Sequence, residues 1–399
     1  MIILSEDFRE KLKAYREGKL TEVEREDFEK DLDKIEEYQA FLEEEMDNSL
    51  TKDNEEENEV VEINSSKSER RIIKRAKWKA RIHNALTAIG IVIAFTFVCG
   101  VITSLFYLVG EPNRMDVYKD IVRSTIAVTE PNISFGHSEN SAGTFFTLNI
   151  DGKLRKKIGS SEINIGQANF KFLFNKCTDS TRKWGEIEDG YPGFMFPNND
   201  IEQKNYYEED WKRLDKLPEG TVAEAYISLD KLYETDELLS KFKELDMKPL
   251  WFAVDTGVNN REIQRLEESF SPIGFPYQPM WHDDDMKIIS SSEKKGFLFS
   301  RVKTISKSSP SIEEYGSGNI RNENFIKTLV LLKKYEKIAE KIANSDLKLQ
   351  ERINYIKSNG VNIYGVVATG PTKEILKLRN EKWVSGVKVG DVELWNWTE

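Results

Sequence analysis

The chain has 399 residues, 39% hydrophobic and 32% charged, which is enough for two or three folded units. Its net charge of −11 is uneven: residues 1–69 carry −14, residues 70–82 carry +7 and the remainder carries −4. An acidic arm of this kind is unsuited to nucleic acid, which we expect not to be a partner, and it suits a basic protein surface.

Residues 1–46 are predicted to form a small α-helical arm of two short helices. Ser5 can cap the first helix, which ends at Gly18, and Thr21 to Glu24 is a capping-box pattern that opens the second. Each helix has one narrow apolar face, too small to build a core alone, so we expect the arm to complete its burial against a protein partner. These faces carry Phe8, Leu12 and Tyr15 on the first helix, and Phe28, Leu32, Ile35 and Leu42 on the second.

Two polar segments follow the arm. Residues 47–69 are acidic with few large apolar groups, which predicts a disordered tether. Residues 70–83 are a basic juxtamembrane segment that we expect to contact anionic lipid headgroups. The side chains assigned to this membrane interface are Arg70, Arg71, Lys74, Arg75, Lys77, Trp78, Lys79 and Arg81, with His83 nearby.

Residues 84–109 are predicted to be a transmembrane helix. The run Ala88–Val109 has no charge, and its length as a helix, about 33 Å, exceeds a hydrocarbon core of about 30 Å. Because Lys and Arg accumulate on the cytoplasmic side, the N-terminus is expected to be cytoplasmic and the C-terminal domain extracytoplasmic, in a cell membrane. Gly100 and Ser104 form a small-xxx-small pair that could let two such helices approach.

Residues 110–195 and 196–399 are predicted to be two extracytoplasmic subdomains, of α+β class overall. Alternating apolar residues predict strands at 145–150, 168–174, 222–229 and 250–254, and Asp230 is a candidate helix cap. Helices are expected at 325–342 and 347–357, followed by a strand at 361–368, a helix after Pro371 and a strand at 383–397. Cys99 lies in the span and Cys177 outside it, so no disulfide is expected between them.

The chain has no catalytic or metal-binding pattern that withstands inspection. Gly365 and Gly370 have P-loop spacing, but Pro371 occupies the position where that motif needs lysine. Of the histidines, His137 and His282 are the only candidates away from the membrane, and His282 with the three aspartates after it is interpreted as a solvated acidic turn. We therefore expect no enzyme activity, no cofactor and no metal.

The arrangement resembles the bacterial membrane anti-sigma factors, and more narrowly the sigma factor regulator family of Bacillus-like Gram-positive bacteria. The stretches that carry the resemblance are SEDFREKLKAYREGKLTEVEREDFEKDLDKIEEYQAFLEEE, RRIIKRAKWKARIHNALTAIGIVI, AYISLDKLYETDELLSKFKELDMKPLWFAVDTG and VNIYGVVATGPTKEIL.

The resemblance implies that the arm sequesters an extracytoplasmic-function sigma factor, without zinc, and that the outer domain controls its release. Expected partners are this sigma factor, membrane lipids and, left open, a second membrane regulator. The alternative is a ligand-binding or enzymatic cell-envelope domain that is anchored by one span.

Overall fold

The computed structural model describes residues 67–185, 193–197, 203–258, 272–295 and 301–395. The chain divides into two compact units, residues 1–88 and 89–399. Within the arm the structure also describes eight positions, all of them helical, as the sequence predicts: Ala14, Tyr15, Glu24, Arg25, Phe28, Lys30, Lys34 and Phe41.

One long helix, α1 (Lys67–Leu108), contains both the basic segment and the apolar run. Its portion Lys74–Leu108 is long and apolar enough to cross a membrane. The helix begins at Lys67, within the predicted tether, whose residues 47–66 lie outside the described part of the chain. Extending an existing helix costs little compared with starting one, so the Lys67–Glu69 segment is helical despite its polarity.

A short helix and a four-stranded antiparallel meander follow. Helix α2 begins after Asn113, whose side-chain oxygen accepts a hydrogen bond from the backbone N–H of Asp116 at 2.9 Å. The meander has the order β1-β2-β3-β4, and α2 packs against β1. These elements are α2 (Arg114–Thr129), β1 (Ile133–Ala142), β2 (Thr147–Ile158), β3 (Ser161–Leu173) and β4 (Lys176–Trp184).

A second antiparallel sheet has the order β11-β5-β10-β6-β7. Its central strand β10 is buried at every position, which explains its continuous apolar sequence. One hydrophobic cluster contains residues of both sheets and of the surrounding helices. The strands are β5 (Thr221–Tyr233), β6 (Lys248–Val254), β7 (Gly274–Pro276), β10 (Ile363–Pro371) and β11 (Val384–Leu394).

Helices and one separate hairpin complete the C-terminal region and confirm the predicted α+β class. The hairpin is β8 (Lys287–Lys295) with β9 (Arg301–Ser308). The helices are α3 (Gln203–Lys216), α4 (Thr235–Phe242), α5 (Gly318–Lys334), α6 (Glu336–Ala343), α7 (Leu349–Asn359) and α8 (Thr372–Lys377).

Three local predictions differ from the structure. Asp230 does not cap a helix, because β5 continues to Tyr233 and α4 is preceded by Glu234. The single helix predicted over 325–342 is interrupted at Tyr335, where α5 ends and α6 begins. Phe145 precedes β2 and lies in a turn with a positive φ of 56°.

Candidate functional site

The two predicted helices of the arm contact each other through aromatic rings. The ring centroids of Tyr15 and Phe28 are 5.4 Å apart, and Arg25 lies over the Tyr15 ring at 5.8 Å. Phe28 is only 4% exposed, so this predicted binding residue already contributes to packing within the arm. The other predicted sigma-binding residues lie outside the described residues: Phe8, Leu12, Leu32, Ile35 and Leu42.

The predicted membrane-interface side chains are exposed where the structure describes them. The described ones are Lys74, Arg75, Lys77, Trp78, Lys79 and Arg81, all on α1. Arg70 and Arg71 belong to the same helix, but their side chains lie outside the described part. Helix α1 therefore carries a group of exposed cations that is followed directly by a charge-free apolar segment.

The C-terminal end of α1 is hydrogen-bonded to the β1–β2 and β3–β4 turns of the meander. The Tyr107 hydroxyl donates to the carbonyl oxygens of Phe146, at 2.7 Å, and Phe174, at 3.0 Å. The Phe146 N–H donates to Thr103 Oγ1 at 2.9 Å. A Cβ added to Gly100 would lie 3.9 Å from the Thr144 methyl group, so part of the face predicted for helix pairing contacts the chain's own hairpin.

A buried charge cluster joins the two sheets. Lys156 of β2 lies 2.8 Å from Glu224 of β5 and 2.8 Å from Asp391 of β11. Asn132 donates to Glu224 at 2.7 Å, and the Tyr226 hydroxyl donates to the same carboxylate at 3.2 Å. The Glu224 side chain is fully buried, so its charge depends on these partners.

Burial and pairing act in opposite directions on this cluster. Burial raises the pKa of Glu224, and the nearby Lys156 ammonium offsets that rise only in part. Burial also works to lower the pKa of Lys156, but the Glu224 and Asp391 carboxylates outweigh it and the pKa is raised. The pair therefore resembles other buried ion pairs, whose members are costly to separate.

A cavity of about 530 Å³ opens beside this cluster. Trp251 forms part of its wall, and the Trp251 indole N–H donates to the Ala127 carbonyl oxygen at 2.7 Å. Cationic and aromatic side chains, among them Lys248 and Tyr277, line the same space. A concave site of this size with both kinds of group can hold a small amphipathic molecule.

The acidic turn after His282 is solvated, as predicted, at Asp283 and Asp284, whose side chains are 54% and 72% exposed, but His282 itself is buried. It is 5% exposed, with Nδ1 at 2.8 Å from Asp120 Oδ2 and Nε2 at 2.8 Å from Thr328 Oγ1. Those contacts join α2 to α5 and occupy both ring nitrogens. The described residues contain no group of three or more His, Cys, Asp or Glu placed to hold a metal. The side chain of His137, the other candidate, lies outside the described part.

The rejection of the P-loop is consistent with the backbone. Gly365 and Gly370 lie in β10, which pairs with β5 on one side and β6 on the other. Its backbone groups are engaged in the sheet and do not form a loop around an anion.

Sequence reasoning missed the buried charge cluster and the Tyr107 contacts. Glu224 carried a usable signal, because it is a lone carboxylate in the apolar strand TVAEAYISL. A carboxylate in that position must find partners or remain neutral. The sequence offers no comparable sign of which lysine pairs with it.

Two family models match the chain. The model described as Sigma factor regulator N-terminal matches residues 70–163, and the one described as Sigma factor regulator C-terminal matches residues 214–391. The N-terminal model begins at the basic segment, so the arm lies outside both matches. No solved structure matches the chain.

One curated relative aligns along the whole chain. It is the "Probable anti-sigma-M factor YhdL" of Bacillus subtilis (strain 168), 29% identical over 400 residues. The alignment covers 99% of this chain and 100% of the relative, and thus includes the arm. The N-terminal model includes the apolar helix and the C-terminal model follows it, and with both matched in this order the chain belongs to the sigma factor regulator family of anti-sigma factors.

Proposed function

We propose that this protein holds an extracytoplasmic-function sigma factor at the cell membrane through its cytoplasmic arm. The C-terminal region, on the other side of the membrane, controls when the arm releases the sigma factor. The observation that carries the proposal is the full-length alignment with a relative named as an anti-sigma factor, which extends over the arm as well as the two matched domains.

The chemistry of the arm supports this role. Residues 1–69 carry a net charge of −14, which complements a basic protein surface and speeds encounter with it. Amphipathic helices bind partners through apolar anchors at helical spacing, and the predicted stripe of the second helix has that spacing. The exposed lysines and arginines of α1 would contact anionic lipids at the cytoplasmic surface.

The proposed orientation predicts which engineered cysteines a membrane-impermeant thiol reagent reaches in intact cells. Cys177 itself is a poor reporter, since burial raises the pKa of its thiol to about 11 and leaves little reactive thiolate at neutral pH. In a background with Cys99→Ala and Cys177→Ala, we expect Lys243→Cys to be labelled. Lys34→Cys should be labelled only after permeabilisation. Both native side chains are exposed, so the pair is matched.

The opposite labelling pattern would show that the N-terminus is outside. Labelling of both positions in intact cells would instead indicate a leaky preparation, which a cytoplasmic control protein in the same cells detects. Each variant should also be checked for accumulation in the membrane fraction.

If the arm binds the sigma factor and the C-terminal region controls its release, removing the C-terminal region should leave binding intact. A chain that ends at Gly110 keeps the arm and α1, so we expect it still to repress the sigma-dependent promoter. Its response to envelope stress should be lost or altered, because no part outside the membrane remains to receive a signal. The measurement is a promoter fusion, with immunoblotting of the membrane fraction. Loss of repression by a truncated protein that accumulates normally would contradict the proposal.

A second candidate function is ligand binding by the C-terminal region with no sigma factor involved. The cavity beside Lys156 and Trp251 is the observation that favours it. A pull-down with residues 1–69 from the native host separates the two, because only the first proposal requires that arm to retain a sigma factor.

A further inference from the structure

Two turns of the meander carry exposed apolar side chains beside the apolar helix. They are the β1–β2 turn, with Phe145 and Phe146, and the β3–β4 turn, with Leu173 and Phe174; we call these four residues the aromatic tips. Phe145 is 47% exposed, Leu173 42% and Phe174 44%. No charged residue occurs between Asn140 and Ile150, so the first turn is uncharged over its whole length.

The aromatic tips reach far along the span. The rings of Phe145 and Phe95 have centroids 6.2 Å apart, and Thr144 lies beside Gly100. Phe95 precedes Val109 by 14 residues, which is about 21 Å along a helix. The predicted span of residues 84–109 is about 39 Å long and a hydrocarbon core is about 30 Å thick, so about 9 Å of helix is spare. Even with all of that excess outside, the Phe95 backbone is about 12 Å inside the core, and Gly100, beside Thr144, is about 5 Å inside it.

Backbone that enters the core is tolerated only where its polar groups have partners. Here the helix supplies partners for several of these groups. Thr103 accepts from the Phe146 N–H, and Tyr107 donates to the carbonyls of Phe146 and Phe174. The Phe174 N–H donates to the Phe146 carbonyl oxygen at 2.9 Å. Within the turn the Gly143 N–H donates to the Thr147 carbonyl oxygen at 2.9 Å, and the Thr147 N–H donates to the Thr144 carbonyl oxygen at 3.3 Å.

The backbone conformation of the aromatic tips is unusual. Phe145, Phe146 and Phe174 have φ values of 56°, 59° and 54°. Bulky residues rarely adopt this left-handed region, and such strain is maintained where the surroundings impose it. The Phe146 and Phe174 rings stack at 4.3 Å, and Phe106 contacts both edge-on. The strained backbone conformation therefore places large apolar side chains next to the span.

We propose that the aromatic tips insert into the acyl-chain region of the leaflet on the C-terminal side of the span, as a lipid-facing extension of the transmembrane helix. The occupant of this surface is lipid, because the surface continues directly into the exposed faces of the span at Leu105 and Leu108. Lys176, exposed just after the second turn, marks the headgroup level, where lysine keeps its charge in water. The inference rests on the proposed function only in requiring that α1 spans the membrane.

Depth-dependent fluorescence quenching tests the proposal on the full chain. The protein, with Cys99→Ala and Cys177→Ala, is reconstituted into phosphatidylethanolamine–phosphatidylglycerol vesicles with an environment-sensitive dye on Phe145→Cys. We expect nitroxides on the acyl chains to quench this dye several-fold more than aqueous iodide does. The matched control is Ser160→Cys, exposed in the β2–β3 turn at the other end of the same strands, where iodide should be the stronger quencher. Phe174→Cys is a second position in case Phe145→Cys does not fold.

A third label separates this inference from the proposed topology. Ile93 is 61% exposed on the span, so Ile93→Cys should be quenched by acyl-chain nitroxides whenever α1 crosses the bilayer. If the Ile93 dye is quenched in this way and the dyes at both tip positions respond to iodide, the insertion proposal is wrong and α1 still spans the bilayer. Tip dyes shielded from both quenchers would indicate a protein partner in place of lipid, which also overturns it. An unquenched Ile93 dye refutes both the span and the insertion.

Discussion

Lys156→Met is expected to destabilise the C-terminal region by about 3–5 kcal/mol at pH 8, the usual cost of removing one member of a buried ion pair. The variant keeps most of the apolar volume of lysine but leaves Glu224 fully buried without its cation, which lies 2.8 Å away in the native protein. Asn132 and Tyr226 remain as donors to the carboxylate. They cannot neutralise it.

The loss of stability should depend on pH in a defined direction. Burial raises the pKa of Glu224 above its ordinary value of 4.5, and the substitution removes the main opposing influence. The folded state of the variant then retains a proton that the unfolded chain has released. Its free energy of unfolding therefore falls as the pH rises from 4.5 towards the folded-state pKa, and the defect should be much smaller at pH 5 than at pH 8.

Urea unfolding of the full-length protein in detergent, followed by near-ultraviolet circular dichroism at both pH values, measures this difference. The double variant Lys156→Met/Glu224→Gln has neither charge of this pair and should recover most of the stability at pH 8. Lys153→Met removes an exposed lysine from the same strand and should change the free energy of unfolding by less than about 0.5 kcal/mol. A Lys156→Met defect equal at pH 5 and pH 8 would show that Glu224 is not the residue responsible.

The predicted elements agree with the structure where local sequence determines them. The helix predicted at 347–357 is α7, which ends at Asn359 because Gly360 adopts a positive φ of 79° that glycine accepts easily. Likewise, the apolar run of β10 predicts that this strand is buried. The charge-free run of α1 predicts that this helix is long enough to cross a membrane. In each case the deciding interactions lie within a few residues of one another.

The missed features all depend on residues that are distant in sequence. Lys156 and Glu224 are separated by 68 positions, and Tyr107 donates to carbonyls 39 and 67 positions away. Alternation of apolar and polar residues shows that a strand has a buried face, but it does not show which residues pack against that face. Phe145 illustrates the limit: its apolar pattern predicted a strand, whereas the contact with α1 places it in a strained turn.

Within the arm, Leu32→Asp is expected to weaken binding of the sigma factor by about tenfold to a hundredfold. Burying one large apolar side chain is worth roughly 1.5–3 kcal/mol, and each 1.4 kcal/mol is a factor of ten in affinity. Leu32 is one helical turn after Phe28 and on the same predicted face. Phe28 is itself engaged with Tyr15, so its replacement would disturb the arm's own packing. Leu32 therefore tests partner binding more cleanly.

The measurement is titration calorimetry of residues 1–69 with the cognate sigma factor at two salt concentrations. Far-ultraviolet circular dichroism should confirm equal helicity of all variants. Lys34→Asp is the matched control, because it places the same carboxylate two residues away at an exposed position. It should change affinity by less than about 1 kcal/mol, since exposed charges contribute little. Salt should weaken the wild type and Leu32→Asp in parallel, because the acidic surroundings contribute mainly long-range attraction. If Leu32→Asp binds as tightly as the wild type, the arm does not use its helical stripe, and capture must depend on charge alone.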